Sequence, residues 1–192
     1  MFTANTMQCL TEAMGLTLPM MATTPAVYSA KLRLALEAGR AVMDSLRKDI
    51  KPSDIMTEKS FENAIIADMA LGGSTNTVLH LPAIAQELGI KLSLDLFDEI
   101  SRNVPHLCGI TPGGKYTILD FHNAGGVPAL LKRLEKFINK ECLTITGQRI
   151  GEIIEKAKVY DEDVIRPLNN PFHKEGGIAI LYGNLAPKGA VV

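Results

Sequence analysis

The sequence has no excess of either charge, few cysteines and no long apolar run. Its 20 Lys and Arg residues offset 21 Asp and Glu to a formal net charge of -1. That balance removes the electrostatic case for nucleic acid or an anionic membrane as the main partner. No stretch reaches the roughly 18 consecutive apolar residues that a membrane-spanning helix needs. The first 30 residues carry neither Lys nor Arg and are interrupted by Glu12, a composition without the basic start of a secretory signal, so a cytoplasmic protein is the expectation. Cysteine is scarce. Cys9, Cys108 and Cys142 lie far apart, form no Cys-x-x-Cys pair and leave one over in any pairing, which suits a reducing compartment and argues against a zinc site of local ligands.

What is present is a chain of 192 residues, 46% of them apolar, enough for a real core in one domain, or one domain and part of another. Residues 4–14 read as a helix, with Thr3 or Asn5 as its cap and Gly15 as its stop. Thr24-Pro25 suits entry to a long helix running to Arg47 or Lys48, its inner face holding Val27, Leu34, Ala38, Val42 and Leu46. Thr57 caps a helix in which Phe61, Ile65 and Met69 recur every four residues up to Gly72-Gly73. Ser74, Thr75 and Asn76 are three capping side chains in a row before a helix carrying Leu81, Ile84, Ala85 and Leu88, in which Pro82 predicts a kink or a later start. Asp95 opens a further helix that Pro105 ends.

Lys115 to Ile118 reads as a short strand, and Gly125-Gly126-Val127-Pro128 starts a helix with Val127, Leu130, Leu131, Leu134 and Ile138 on one face. Leu143 to Ile145 reads as a strand, Thr146-Gly147 as a turn, and Ile150 to Lys158 as a last helix. From Asp161 to Glu175 the acidic, proline and asparagine content fits a linker, which divides the chain into 1–160, 161–175 and 176–192. Ile178 to Tyr182 is strand-like, Gly183 to Gly189 turn-like, and a strand starting at Ala190 stops in mid-element with unpaired amides and carbonyls. Because a bare edge favours aggregation, an internal piece of a longer protein is expected.

The strongest local feature is Gly72-Gly73-Ser74-Thr75-Asn76. Small residues permit close backbone approach, and amides at a helix start can hold a carboxylate or phosphate; the same pattern also serves as an ordinary tight turn. Neither a phosphate-binding P-loop nor a dinucleotide fingerprint occurs. Gly125-Gly126 before Val127-Pro128 is a second candidate anion site, better explained by packing at a helix entry. His80, His106, His122 and His173 show no metal-ligand spacing, His122 being of most interest because it follows Asp120 beside that pair. Cys9 reads as a small buried apolar residue, whereas Cys108 in a loop leaves a reactive thiol open, although no basic neighbour is evident. The run Asp161-Glu162-Asp163 reads as a solvated face.

Taken together, Met1-Phe2-Thr3-Ala4-Asn5-Thr6-Met7, Gly72-Gly73-Ser74-Thr75-Asn76 with Leu79-His80-Leu81, Pro105-His106-Leu107-Cys108, Asp120-Phe121-His122 with Gly125-Gly126-Val127, and Gly183-Asn184-Leu185-Ala186-Pro187 resemble the dihydroxy-acid dehydratase family over the entire chain. The resemblance implies an α/β fold: the helix-rich later part of an N-terminal α/β domain, a linker, and the first strands of a C-terminal β-barrel. It also implies a hydro-lyase of branched-chain amino-acid biosynthesis that turns a 2,3-dihydroxy carboxylate into a 2-keto acid with an iron-sulfur cluster and magnesium, the full-length enzyme being a homodimer. The family's cluster cysteines and Cys-Asp-Lys motif fall before Met1, and its remaining metal-binding glutamate and serine base fall after Val192.

None of the three cysteines here aligns with a cluster ligand, so the resemblance implies no catalytic or metal-ligating residue in this chain and no activity for it alone. Thr3 and Asn5 are then expected beside the missing cluster ligand, and Ser74, Thr75 and Asn76 in the substrate pocket. The alternatives are a piece of a sugar-acid or 6-phosphogluconate dehydratase, or a helical protein that binds a small anion without chemistry.

Overall fold

The computed structural model describes residues 1–192, and its centre is a helix with almost no exposed side. This helix, Glu58–Leu71, is capped as its sequence predicts: the Ser60 amide donates to Thr57 Oγ1 at 3.3 Å and the Thr57 amide donates to Ser60 Oγ at 2.8 Å. From Ser60 to Leu71 every residue except Glu62 is buried. A helix covered all round must satisfy its polar members internally. Asn63 does so by donating to the Asn139 carbonyl at 3.1 Å and accepting from the Asn139 amide at 2.8 Å.

In chain order the helices are α1 (Thr3–Ala13), α2 (Ser29–Arg47), α3 (Pro52–Ile55), α4 (Glu58–Leu71), α5 (Thr77–Gln86), α6 (Leu94–Asn103), α7 (Ile118–Asn123), α8 (Gly126–Arg133) and α9 (Ile150–Lys156). They are followed by strands β1 (Ile180–Gly183) and β2 (Ala186–Val191). Helices α1, α5, α6 and α8 pack on α4, and α9 packs on α8. The core largely follows the spacing read from sequence: Phe61, Ile65 and Met69 of α4 share one buried cluster with Val127, Leu130 and Leu131 of α8 and with Cys9, Leu10 and Ala13 of α1, while Leu134 and Ile138 join it from beyond the end of α8, which is shorter than expected.

Helix α1 begins one residue earlier than the capping residues suggest. Phe2 occupies the cap position without a side-chain bond, and Thr3 and Asn5 lie inside the helix. Past Gly15, the buried Glu12 orders the next loop by accepting from the Met20 amide at 2.7 Å and the Ala22 amide at 2.9 Å. These bonds hold Met20 at φ +67°, a left-handed backbone that a methionine seldom adopts. Burial pushes the Glu12 carboxyl up to about 7 against the pull of those two donors.

Helix α2 departs most from expectation. It starts at Ser29, not at Thr24-Pro25, because Thr24 is spent in a turn, its Oγ1 donating to the Met20 carbonyl at 2.7 Å. Of the expected inner face, Val27, Val42 and Leu46 are exposed and Leu34 and Ala38 only half-buried; Ser45 alone is buried, its hydroxyl donating to the Ile145 carbonyl at 3.0 Å. Leu32, Leu36, Met43 and Leu46 instead form an exposed stripe. The periodicity was a true sign of amphipathicity, but no part of the chain covers that face.

Lys115 to Ile118 is not a strand. Thr117 caps α7, its side chain accepting from the Asp120 amide at 3.2 Å while Asp120 accepts from the Thr117 amide at 2.7 Å. Leu143 to Ile145 is likewise irregular, with a single bridge from Leu143 to Arg149. Residues 157–179 contain no helix or regular strand. The closing strand is longer than expected and is paired: β2 lies antiparallel to β1 with Ile180 opposite Val191 and Leu181 opposite Ala190, forming a two-stranded sheet. No helix is long and apolar enough to cross a membrane.

Leu130→Ala, at a fully buried position, should lower unfolding stability by about 2–5 kcal/mol, whereas Leu36→Ala on exposed α2 should change it by less than about 0.5 kcal/mol; urea denaturation measures both. A second expectation concerns pH. The folded chain keeps the Glu12 proton up to about pH 7, while the unfolded chain releases it near its ordinary 4.5, so this group's contribution is lost as pH rises through that window. The stability gap between wild type and Glu12→Gln should therefore narrow between pH 4.5 and 7, by at most roughly 1.4 kcal/mol per pH unit. A gap independent of pH would contradict it.

Candidate functional site

The loop from Gly72 to Asn76 leaves α4 through a left-handed turn at Gly72, φ +61°. Both glycines are required by what surrounds them. A Cβ on Gly72 would collide with the His106 ring, and one on Gly73 with the Asp68 carboxyl. Gly177 closes on the same spot from the far end of the chain: its own Cβ would strike Gly72 Cα, and its amide donates to the Met69 carbonyl at 2.9 Å.

Three of the residues singled out from sequence meet here. Thr3 Oγ1 and Ser74 Oγ lie 3.0 Å apart, and Asn76 Nδ2 donates to Thr3 Oγ1 at 2.7 Å and to Ser74 Oγ at 3.2 Å. Asn76 also donates its amide to Ser74 Oγ at 3.3 Å. The result is a small polar cluster tying α1 to the entry of α5. Thr75 is exposed beside it, and Asn5 is half-buried on α1 without joining it. The three residues do not cap α5 as expected. Asn76 has helical angles and makes no cap bond, and the Thr77 and Val78 amides already donate to the Ser74 and Thr75 carbonyls at 3.0 and 3.3 Å. α5 also runs through Pro82 rather than starting after it.

Two further features were missed. Beneath the loop, the fully buried Asp68 places Oδ2 at 2.5 Å from Thr77 Oγ1, which also contacts the Ser74 carbonyl at 2.8 Å, while Asp68 Oδ1 has no partner. Burial pushes this carboxyl up to about 7. The available signal was an acidic residue within the apolar run Ala64 to Leu71. Beside the loop, the His106 and His173 rings stack at 5.2 Å with their Nδ1 atoms 2.9 Å apart, and His106 Nε2 donates to the Cys108 carbonyl at 2.8 Å. Because a carbonyl only accepts, neutral His106 carries its hydrogen on Nε2 and accepts on Nδ1, so His173 is the donor. Burial lowers the pKa of His106.

The remaining candidates lie elsewhere. His122 Nδ1 is 3.0 Å from Thr23 Oγ1, and the residue lines an open cavity of about 350 Å³ with Gln148, Lys156, Lys158 and Tyr160, none of which belongs to the loop. Gly125, at φ +115°, fits against the Lys158 carbonyl and Ala129, the packing role read from sequence. His80 is half-buried. Within the acidic run, Asp161 accepts from the Asp163 amide at 2.9 Å and Glu162 pairs with Arg133. Cys108, read as a loop thiol, is buried, and burial pushes both its pKa and that of Cys9 upward, away from thiolate reactivity.

Comparison with known proteins fits this arrangement to a family. The family model described as "Dihydroxy-acid/6-phosphogluconate dehydratase N-terminal" matches residues 1–153, and its C-terminal counterpart matches residues 163–192. The chain belongs to the dihydroxy-acid/6-phosphogluconate dehydratase family. Its relatives include proteins named dihydroxy-acid dehydratase from Methanothermobacter thermautotrophicus at 54% identity, Caldicellulosiruptor saccharolyticus at 55% and Thermodesulfovibrio yellowstonii at 56%. Each alignment covers all of this chain and 35% of the relative, so the chain spans about a third of the length of the dehydratases it matches.

The iron-sulfur cluster and magnesium implied by the family resemblance do not fit the residues present. No three His, Cys, Asp or Glu side chains converge, and the thiols of Cys9, Cys108 and Cys142 are buried, with pKa values raised where a metal ligand needs a thiolate.

Gly73→Ala should lower the melting temperature by several degrees, since 1 kcal/mol is worth about 2–4 °C at this size. Gly39→Ala, on open α2 with nothing within 4 Å of its Cβ, should raise stability by roughly 0.5–1 kcal/mol. Differential scanning calorimetry separates the two, and equal effects would refute the close approach at Gly73.

Proposed function

We propose that this chain serves in a dehydratase that removes water from a 2,3-dihydroxy carboxylate to give a 2-keto acid in branched-chain amino-acid synthesis, with Ser74, Thr75 and Asn76 contacting substrate. Thr3 and Asn5 would lie next to the iron-sulfur cluster. The observation that carries this reading is the hydrogen-bonded cluster of Thr3, Ser74 and Asn76. It presents hydroxyl and amide groups at a helix entry, a chemistry suited to hydroxyls and a carboxylate. The relatives' name, dihydroxy-acid dehydratase, favours this substrate class over sugar acids or 6-phosphogluconate.

The proposal extends to organisation. Residues 1–160 would complete the N-terminal α/β domain, 161–175 would be the linker and 176–192 would begin a β-barrel, in a cytoplasmic homodimer whose cluster and magnesium are held outside this chain. The gap between the two family matches, 153 to 163, supports a boundary in this region.

The test is to replace the residue equivalent to Asn76 by Ala in the Methanothermobacter thermautotrophicus dehydratase. Loss of a substrate hydrogen bond should reduce kcat/KM by roughly 10- to 100-fold, about 1.4–2.7 kcal/mol. Unchanged KM and kcat would remove Asn76 from the site.

A further inference from the structure

We infer that Asp68 is a positioning residue for the Ser74–Asn76 loop, holding it through a relay that runs from the Asp68 carboxyl to the Thr77 hydroxyl to the Ser74 carbonyl, and that loss of the Asp68 proton breaks the relay. This rests on reading that loop as the substrate-contacting element.

A single hydroxyl hydrogen decides between two arrangements. Thr77 Oγ1 lies 2.5 Å from Asp68 Oδ2 and 2.8 Å from the Ser74 carbonyl, yet the hydroxyl has one hydrogen to give. If Asp68 keeps its proton, both contacts of the Thr77 hydroxyl are satisfied: the acid donates to Thr77 Oγ1, and Thr77 donates to the Ser74 carbonyl. If Asp68 is ionised, carboxylate and carbonyl compete for one hydrogen. The charge-assisted bond is the stronger, so the carboxylate takes it and the Ser74 carbonyl loses its side-chain partner.

The surroundings favour the protonated arrangement. Asp68 Oδ1 is buried without a partner and abuts Gly73, so it stays unsatisfied in either state, and ionisation would place part of a negative charge on it where the neutral acid leaves an uncharged carbonyl oxygen. Ahead of α1 the amino group at Met1 favours ionisation, and from α1 the Cys9 thiol interacts with the carboxyl; from α5 only the Thr77 hydroxyl reaches it, and no charged group of α6 or α8 acts on it. Ser74 is also the node of the polar cluster, bonded to both Thr3 and Asn76. A change at its carbonyl therefore passes directly to the side chains proposed to meet substrate. The event is a simple ionisation: the O–H bond of Asp68 breaks, the electron pair stays on the carboxylate and the proton goes to solvent.

The experiment is an NMR titration of the full 192-residue chain, following the Asp68 carboxyl carbon and the amides of Ser74, Thr75 and Asn76. In wild type the carboxyl should titrate well above the ordinary aspartate range, and the loop amides should shift with the same midpoint. Asp68→Asn, whose amide can donate to Thr77 as the acid does, should hold the loop amides at their low-pH positions across the range. Thr77→Val should leave the carboxyl titrating while the loop amides no longer follow. An Asp68 carboxyl titrating near 4, or loop shifts in Thr77→Val that still follow it, would overturn the relay. An Asn76→Ala enzyme with unchanged KM and kcat would instead strike the substrate reading and leave these titrations intact.

Discussion

The covering of α4 on every side is the constraint on which the rest depends. Once Ser60 to Leu71, apart from Glu62, are withdrawn from water, α1, α5, α6 and α8 have defined places around them, and the polar residues inside the helix need partners from other segments. Asn63 finds Asn139 and Asp68 finds Thr77. Leaving such a group unpaired costs about 1–3 kcal/mol, so these bonds select among ways of packing the surrounding helices. The proposed site is a by-product of that selection, because the helix must end where the polar loop begins.

Much of the architecture was legible in sequence where a single helix face meets the core. The four-residue recurrence of Phe61, Ile65 and Met69, and Val127, Leu130 and Leu131 of α8, are buried as their spacing indicates, whereas Leu134 and Ile138 are buried although α8 ends at Arg133. Spacing failed at α2 because it reports that a helix has two faces, not that this chain supplies the cover. It failed at Lys115 to Ile118 because the reciprocal bonds of Thr117 and Asp120 outweigh the strand preference of an aromatic and β-branched run. The closing strand was underestimated because Pro187 and Gly189 read as a turn, although a two-stranded hairpin tolerates both on its open edge.

The candidate site was legible in part. Glycines followed by Ser74 and Asn76 marked the loop, and a motif resemblance brought in Thr3, which the fold then joins to them. The groups beneath and beside the loop were not readable. Asp68 and Thr77 are nine positions apart and His106 and His173 are 67 apart, separations at which no local periodicity carries information. What makes them partners is the route of the whole chain.

One contact ties the two ends of that route together. Gly177 leaves no space for a side chain against Gly72, and just beyond it the Ser101 hydroxyl donates to the Ile178 carbonyl at 2.5 Å. With bare backbone against bare backbone, there is no flexible group between the loop and the lead-in to the hairpin to absorb a displacement. The lead-in to the hairpin is therefore seated directly on the turn that opens the loop, and a side chain added at Gly177 would have to part them.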